Sequence, residues 1–224
     1  EGPAEAPALV CLHALGTDGS LWDPQAAHFA GRWRVLRVDA PGHGLSPRWA
    51  GLPMDPPRLA QALWATLDGL GVADAVLMGT SMGAVTALQA ALLAPGRVQA
   101  LVLCGAHLAR GGEHRAEMQA RADRVRRDGL TGVARQMVAR WFPPGMPPSA
   151  CAGQDAVLER LLATDPGAYA DAAQALQGYD LTPALPALQA RTLLVHGELD
   201  EDVPAHFTAL GRRHPGLRVL GLPA

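Results

Sequence analysis

Ser81 stands at the centre of a G-x-S-x-G motif that runs from Gly79 to Gly83, between an apolar run and a helix-like pattern. A serine at a sharp strand-to-helix turn exposes its hydroxyl above the carboxyl end of the strand, and the two glycines let strand and helix approach closely. The Met82 amide would begin the helix, where unpaired N–H groups and the helix dipole favour negative charge. The motif predicts a nucleophilic serine beside an oxyanion-binding amide.

Two other loops carry groups that such a serine needs. The loop at 13–17 follows an apolar run and could donate the Leu15 amide as a second oxyanion ligand. Asp200 follows another apolar run by one short turn and could orient a histidine. Serine before aspartate is the chain order of hydrolases whose triad runs Ser, Asp/Glu, His. Asp202 is the nearest rival for that role, and a helix cap or an ordinary loop acid is the alternative for Asp200.

The elements that must position these loops alternate along the chain. Apolar runs predict strands at 8–12, 34–39, 75–80, 98–104, 192–196 and 217–220, and helical spacing predicts helices at 24–29, 58–70, 82–93 and 204–213. Such alternation predicts an α/β fold, a mostly parallel sheet with helices on both faces. In a parallel sheet the site lies at the carboxyl ends of the strands, so the three loops should meet.

The alternation stops in one block. From 107 to about 180 we find only helical patterns, with a stiff Pro-rich linker at 142–148. This predicts a helical cap at 107–180, inserted into a core of 1–106 and 181–224. His107 and Trp141 in the block, and Trp22 before it, are candidates for the pocket wall, with loop or core positions as the alternative. Eight Arg against four Asp or Glu between 107 and 142 could attract an anionic substrate, or could form a solvated helix face.

Composition excludes several classes of protein. The 224 residues are 49% hydrophobic and 18% charged, which is typical of a globular protein. A formal net charge of −2 argues against nucleic acid as a partner. No apolar run approaches the roughly 18 residues that would span a bilayer. The scattered Cys11, Cys104 and Cys151 favour buried free thiols, and therefore a cytoplasmic protein.

Together these features resemble the α/β-hydrolase fold superfamily over nearly the whole chain. The segments at 15–18, 22–25, 34–37, 42–47, 139–142 and 179–185 are similar to 3-oxoadipate enol-lactonases. The resemblance implies a serine hydrolase that opens a small carboxylate-bearing lactone through an acyl-enzyme on Ser81. Leu15 and Met82 would hold the oxyanion, with no metal and no organic cofactor. The expected partner is the small ester or lactone substrate, and a broad carboxylesterase or a cofactor-free haloperoxidase is the alternative.

The chain departs from that pattern at both ends. Only about seven residues precede the first predicted strand, where family members have a hairpin. The catalytic histidine should follow the last strand, so we expect it after Ala224, in terminal residues of a longer protein. Among the histidines present, His214 precedes that strand, and His206 is a weak substitute on the neighbouring helix. A ligand-binding pseudoenzyme without its general base is the alternative from another class.

Overall fold

The loops that carry Leu15, Ser81 and Asp200 all follow the carboxyl ends of strands in a six-stranded parallel sheet. The structure, a computed structural model, describes residues 1–49, 51, 53–142 and 153–223. Its strands are β1 (Ala8–Leu12), β2 (Arg34–Val38), β3 (Ala75–Thr80), β4 (Val98–Cys104), β5 (Ala109–Arg110), β6 (Tyr179–Asp180), β7 (Arg191–Gly197) and β8 (Leu217–Leu222). Its helices are α1 (Asp23–Phe29), α2 (Pro56–Gly69), α3 (Met82–Leu93), α4 (Glu113–Asp128), α5 (Thr131–Trp141), α6 (Gln154–Ala163), α7 (Pro166–Ala175) and α8 (Val203–Arg213).

The strand order of the sheet determines where a site can form. The order is β2-β1-β3-β4-β7-β8, and every neighbouring pair is parallel. The chain leaves β1 toward one edge and returns to β3 on the other side, so the strand order reverses between these two strands. Ligands bind at such a reversal, outside the carboxyl ends of the strands. The loop after β1 and the turn after β3 therefore flank the expected crevice.

Side chains of β1 alternate between two cores. Val10 and Leu12 pack into a cluster with residues of α2, α3 and α8, whereas Leu9 and Cys11 pack with Trp22 and with Ala26 of α1. Helices therefore cover both faces of the sheet, and the predicted fold class is confirmed. Cys11 is buried and Cys104 half-buried, and both thiols are free. Burial raises the pKa of Cys11 to about 12 and that of Cys104 to about 11, so both stay protonated.

Four helices, α4 to α7, separate β4 from β7 in the chain, where the cap is predicted. A short antiparallel pair that the sequence did not predict brackets this block, since Ala109 pairs with Asp180 and Arg110 with Tyr179. The Tyr179 hydroxyl donates to the His107 carbonyl at 3.0 Å, which joins the two ends of the block. We call α4 to α7 the inserted helices. The predicted linker beyond 142, Cys151 and Ala224 lie outside the described residues.

Two kinds of feature are missing from the described part of the chain. None of its helices has the length and apolar character needed to cross a bilayer. Within the same residues, no group of three or more His, Cys, Asp or Glu side chains is arranged to hold a metal ion.

Candidate active site

Ser81 occupies a strained turn between β3 and α3. Its φ of 51° is the single positive φ at a non-glycine residue in the described part of the chain. A Cβ on Gly79 would lie 2.3 Å from the Gly83 carbonyl oxygen, and a Cβ on Gly83 would lie 2.2 Å from that of Leu12. Only glycines allow this contact between strand and helix, so the spacing G-x-S-x-G is a steric requirement of the turn. The Ser81 amide donates to the Cys104 carbonyl at 3.0 Å, which ties the turn to β4.

The peptide between Ala14 and Leu15 is held by three hydrogen bonds. The Ala14 carbonyl accepts from His13 Nδ1 at 2.8 Å, from the Thr17 amide at 3.1 Å and from Thr17 Oγ1 at 2.9 Å. The peptide is planar and trans, so the Leu15 N–H points opposite to that carbonyl. Leu15, Ser81 and Met82 line the same cavity. The backbone of this loop is therefore fixed where it borders the cavity that Ser81 and Met82 also line.

His13 has a structural part in this loop. Its Nε2 accepts from the Ala40 amide at 2.9 Å, so its Nδ1 carries the proton that is donated to Ala14. Burial lowers the pKa of His13, which keeps the ring neutral. His43 lies beside it, with ring centroids 5.2 Å apart. Neither histidine lines the cavity with Ser81.

Asp200 lies in the turn after β7 and close to the Ser81 turn. A Cβ on Gly105 would lie 3.5 Å from Asp200 Oδ2 and 3.9 Å from Thr80 Oγ1, so the carboxylate stands against the glycine that follows β4. The pKa of Asp200 is raised, mainly by burial, and the positive charge of Arg140 acts in the opposite direction. Among the described residues, no side chain or amide donates a hydrogen bond to this carboxylate. It is placed to receive one from a group in the cavity.

Asp202, the rival acid, is already engaged. Its Oδ1 lies 2.8 Å from His107 Nε2, and its Oδ2 lies 3.5 Å from Arg110. Burial raises the pKa of Asp202, but the hydrogen bond from His107 and the charges of His107 and Arg110 outweigh it and give a net lowering. Of the two candidates, Asp200 is the one whose oxygens remain available.

These groups share a cavity of about 740 Å³ between the sheet edge and the inserted helices. Its wall includes the predicted residues Leu15, Ser81, Met82, His107, Trp141 and Asp200. The inserted helices add apolar side chains from Met118, Met137, Val157 and Tyr169. Three arginines that the sequence did not single out also line the wall, Arg110 from β5 and Arg121 and Arg140 from the inserted helices. The cavity is of the size that small-molecule sites have.

Each of the three arginines in the wall has a carboxylate partner. Arg110 lies 3.5 Å from Asp202, Arg121 lies 2.5 Å from Glu117, and Arg140 lies 2.8 Å from Glu201. The block at 107–142 has more arginines than acidic residues, yet each of the three arginines in the cavity wall is paired with a carboxylate. An anionic substrate would have to compete with these carboxylates.

Trp22 corrects one expectation. Its ring is buried beside Leu9 and Cys11 on the face of the sheet that α1 covers, and it is not in the cavity wall. Asp18 caps the 3₁₀ turn Gly19–Trp22 by accepting from Ser20, and this turn directs Trp22 inward. The preceding residue, Leu21, lines the cavity instead.

The histidines of the described chain do not complete a triad. His107 and His114 line the cavity, but no histidine of the described residues hydrogen-bonds Ser81 or Asp200. His206 is engaged elsewhere, because its Nε2 accepts from the Leu108 amide at 3.0 Å. His214 follows the last residue of α8. No histidine of the described residues therefore takes the position predicted for the catalytic histidine.

A family model described as alpha/beta hydrolase fold matches residues 7–209. The chain belongs to the α/β hydrolase fold family. This hydrolase is 33% identical to 3-oxoadipate enol-lactonase 2 of Acinetobacter baylyi over 202 residues, which are 89% of this chain and 73% of that protein. It is 31% identical to the pimeloyl-[acyl-carrier protein] methyl ester esterase of Aeromonas hydrophila, over 96% of this chain and 85% of that one.

A solved structure extends the likeness to the fold. The enol-lactonase from Burkholderia xenovorans superposes on this hydrolase with a TM-score of 0.89 at 28% identity, covering 99% of this chain and 85% of that chain. The predicted family is therefore confirmed, as is the enzyme class, a hydrolase whose relatives act on lactone and ester bonds.

Proposed function

We propose that this hydrolase cleaves a small lactone or ester through an acyl-enzyme on Ser81. The observation that carries the proposal is the placement of Ser81 at a positive φ, in the wall of a cavity that Leu15 and Met82 also line. A strained serine beside preorganised amides is the arrangement that stabilises a tetrahedral oxyanion. The catalytic pair is Ser81 and Asp200, with Leu15 and Met82 as oxyanion donors.

The chemistry follows from these positions. A histidine held by Asp200, the third member of the order Ser, Asp/Glu, His, takes the proton of Ser81 Oγ as that oxygen bonds to the carbonyl carbon. The amides of Leu15 and Met82 hold the resulting oxyanion, and one such donor is typically worth about 3 kcal/mol. The C–O bond to the leaving group then breaks, and the imidazolium protonates the departing oxygen. Water activated by the same histidine releases the acyl group and restores Ser81. None of these steps requires a metal or organic cofactor.

The preferred substrate of this proposal is 3-oxoadipate enol-lactone, in cytoplasmic aromatic catabolism. Its support is the pair of enol-lactonases among the relatives, one by sequence and one by structure. The enol that leaves when such a ring opens is a better leaving group than an alkoxide, so it needs less help from a general acid. Trp141 and His107, in the cavity wall, are the pocket residues of this proposal.

A carboxylesterase for uncharged substrates is the second candidate, and one observation favours it. The three arginines of the cavity wall are each paired with a carboxylate, so none is free to receive the carboxylate of the enol-lactone. An uncharged ester would not disturb these ion pairs. The methyl ester esterase relative supports the same alternative.

Turnover of two substrates by two variants tests the proposal. The substrates are 3-oxoadipate enol-lactone and p-nitrophenyl acetate. Ser81→Ala removes the nucleophile, and Ser46→Ala, outside the cavity wall, is the matched control. We expect Ser81→Ala to lose at least about a thousandfold in kcat and Ser46→Ala to keep wild-type rates. A higher kcat/KM for the lactone supports the lactonase, and a higher value for the ester supports the esterase. Wild-type rates no higher than those of Ser81→Ala would contradict both and favour a binding protein.

A further inference from the structure

Thr164, at the corner between α6 and α7, reaches the loop that carries the Leu15 amide. Its hydroxyl lies 2.9 Å from the Gly16 carbonyl oxygen and 3.0 Å from that of Arg160, and its side chain is buried. The Arg160 carbonyl already accepts the Thr164 amide at 3.1 Å. Within the described residues, Thr164 Oγ1 is the one donor to the Gly16 carbonyl. Removing the hydroxyl would leave a buried carbonyl unpaired.

The same corner closes over Gly16 itself. Gly16 has a φ of +79°, and a Cβ there would lie 2.7 Å from Leu161 Cδ2 and 2.7 Å from Tyr169 Cε2. Tyr169 is fully buried and also lines the cavity. On the other side of the loop, Arg160 Nε hydrogen-bonds Ser20 Oγ. The inserted helices therefore contact the loop and the turn after it at several points. Among these contacts, Thr164 donates the hydrogen bond to a backbone carbonyl of the loop.

The geometry of the loop links the contact between Thr164 and Gly16 to the Leu15 amide. Two peptides of this loop have held carbonyl oxygens: the Ala14 carbonyl accepts from groups of its own loop, and the Gly16 carbonyl accepts from Thr164. Because a peptide is planar, fixing its carbonyl also fixes its N–H. The first peptide carries the Leu15 amide. The second carries the Thr17 amide, which donates to the Ala14 carbonyl at 3.1 Å and so links the Gly16 peptide to the first one. A released Gly16 peptide would let the Leu15 amide move relative to Ser81.

We propose that Thr164 is a positioning residue of the oxyanion hole, through which the inserted helices hold the Leu15 amide in place. The proposal rests on the proposed function, since it requires the Leu15 amide to bind an oxyanion. It makes the inserted helices part of the catalytic geometry as well as part of the pocket wall. A substrate that packs against Tyr169 would then contact the same helical segment that holds the loop at 13–17.

Four proteins test this role: wild type, Thr164→Val, Thr164→Ser and Thr192→Val. Thr192 is the matched control, because its buried hydroxyl also donates to a backbone carbonyl, that of Ala190 at 3.0 Å, and it does not line the cavity. The measurements are kcat, KM, the melting temperature and the inhibition constant of a trifluoromethyl ketone whose hemiketal oxygen occupies the oxyanion hole. The substrate is whichever of the lactone and p-nitrophenyl acetate the wild type turns over faster.

We expect Thr164→Val to lower kcat about tenfold, less than the 10²–10³ of deleting one oxyanion donor. KM should stay within about twofold, because the contact acts on the transition state more than on the bound substrate. The ketone should bind about tenfold more weakly, in parallel with kcat. Thr164→Ser, which keeps the hydroxyl, should restore both values, and Thr192→Val should change neither.

The proposal is overturned if Thr164→Val matches Thr192→Val in kcat and in ketone affinity, or if Thr164→Ser is as slow as Thr164→Val. If the valine variant does not fold, Thr164→Ala removes the hydroxyl without adding bulk and decides the question by the same readouts. A wild type without turnover contradicts the proposed function and this role with it. An active wild type with an unaffected Thr164→Val contradicts this role alone.

Discussion

The two halves of the candidate site are built differently. The nucleophile half, the turn around Ser81 with the loop at 13–17, is held by backbone contacts and buried side chains. Its three glycines, Gly16, Gly79 and Gly83, all lack room for a Cβ. The acid half, the turn after β7, is more open, with Leu199 exposed over about half its surface (51%). There, the rival acid Asp202 is bound by His107 while Asp200 has no hydrogen-bond donor among the described residues.

The difference shows what each half requires. The nucleophile must be at its position before substrate arrives, because an oxyanion hole works by preorganisation. The acid needs only to lie beside the Ser81 turn and to remain able to accept a hydrogen bond. We therefore expect substitutions in the nucleophile half to affect stability and activity together, and substitutions in the acid half to affect activity alone.

Gly83→Ala should have the largest effect. Its Cβ would overlap the Leu12 carbonyl at 2.2 Å, so β1 and α3 would have to separate, at a cost of about 5 kcal/mol or more. We expect little folded protein and no turnover, as measured by urea unfolding and by hydrolysis of p-nitrophenyl acetate. Gly132→Ala is the matched control, since a Cβ there meets nothing within 4 Å. It should be neutral or stabilising by up to about 1 kcal/mol. A cooperative, active Gly83→Ala would show that the close contact is not required.

Asp200→Asn should have the next largest effect, and on activity alone. An amide in place of the triad carboxylate cannot stabilise an imidazolium, so kcat should fall about a thousandfold, or about 4 kcal/mol in activation free energy. Asp202→Asn should lower kcat less than about tenfold, because its carboxylate already binds His107 and Arg110. The melting temperature separates loss of function from loss of fold. A larger loss of kcat in Asp202→Asn would exchange the roles of the two acids.

The smallest effect is a pH dependence of stability that originates at His43, whose ring lies beside His13 of the nucleophile half. Burial, followed by the neighbouring His13, lowers the pKa of His43 from its ordinary 6.5 to about 4. The unfolded chain therefore binds the proton first as the pH falls. Stability is complete above about pH 6.5 and is lost toward pH 4, by at most about 1.4 kcal/mol per pH unit for this histidine. His43→Asn should flatten that slope in urea unfolding, and His28→Asn, at an exposed position, should not. An unchanged slope in His43→Asn would place the acid sensitivity elsewhere.

The sequence predicted the nucleophile half well, because local sterics determine it. Ser81 needs Gly79 and Gly83 at its sides, and the strands and helices around them begin and end within a few residues of the predicted bounds. The fold class followed from the alternation of strands and helices, and the family followed from the resemblance of the motifs to the α/β-hydrolase superfamily. The inserted helices also lie within the block where helical patterns were predicted, although the extent of the cap, 107–180, remains a prediction.

Contacts between distant segments could not be predicted. Trp22 and Leu21 are neighbours, yet only Leu21 faces the cavity, and the Asp18-capped turn decides which of the two does so. Thr164 meets Gly16 across 148 positions, and no local pattern marks that pair. The pairing of each cavity arginine with a carboxylate likewise depends on tertiary packing. The turn that carries Ser81 can therefore be predicted from sequence, whereas the substrate depends on contacts that only the fold reveals.

The most direct measurement is the covalent intermediate on Ser81. The protein is mixed with p-nitrophenyl acetate, quenched with acid within milliseconds and measured by intact mass spectrometry. It should carry one acetyl group, and peptide mapping should place that group on Ser81. The Ser46→Ala control should acylate like the wild type, and Ser81→Ala should remain unmodified. An acetyl group on another residue, or turnover that survives in Ser81→Ala, would contradict the account.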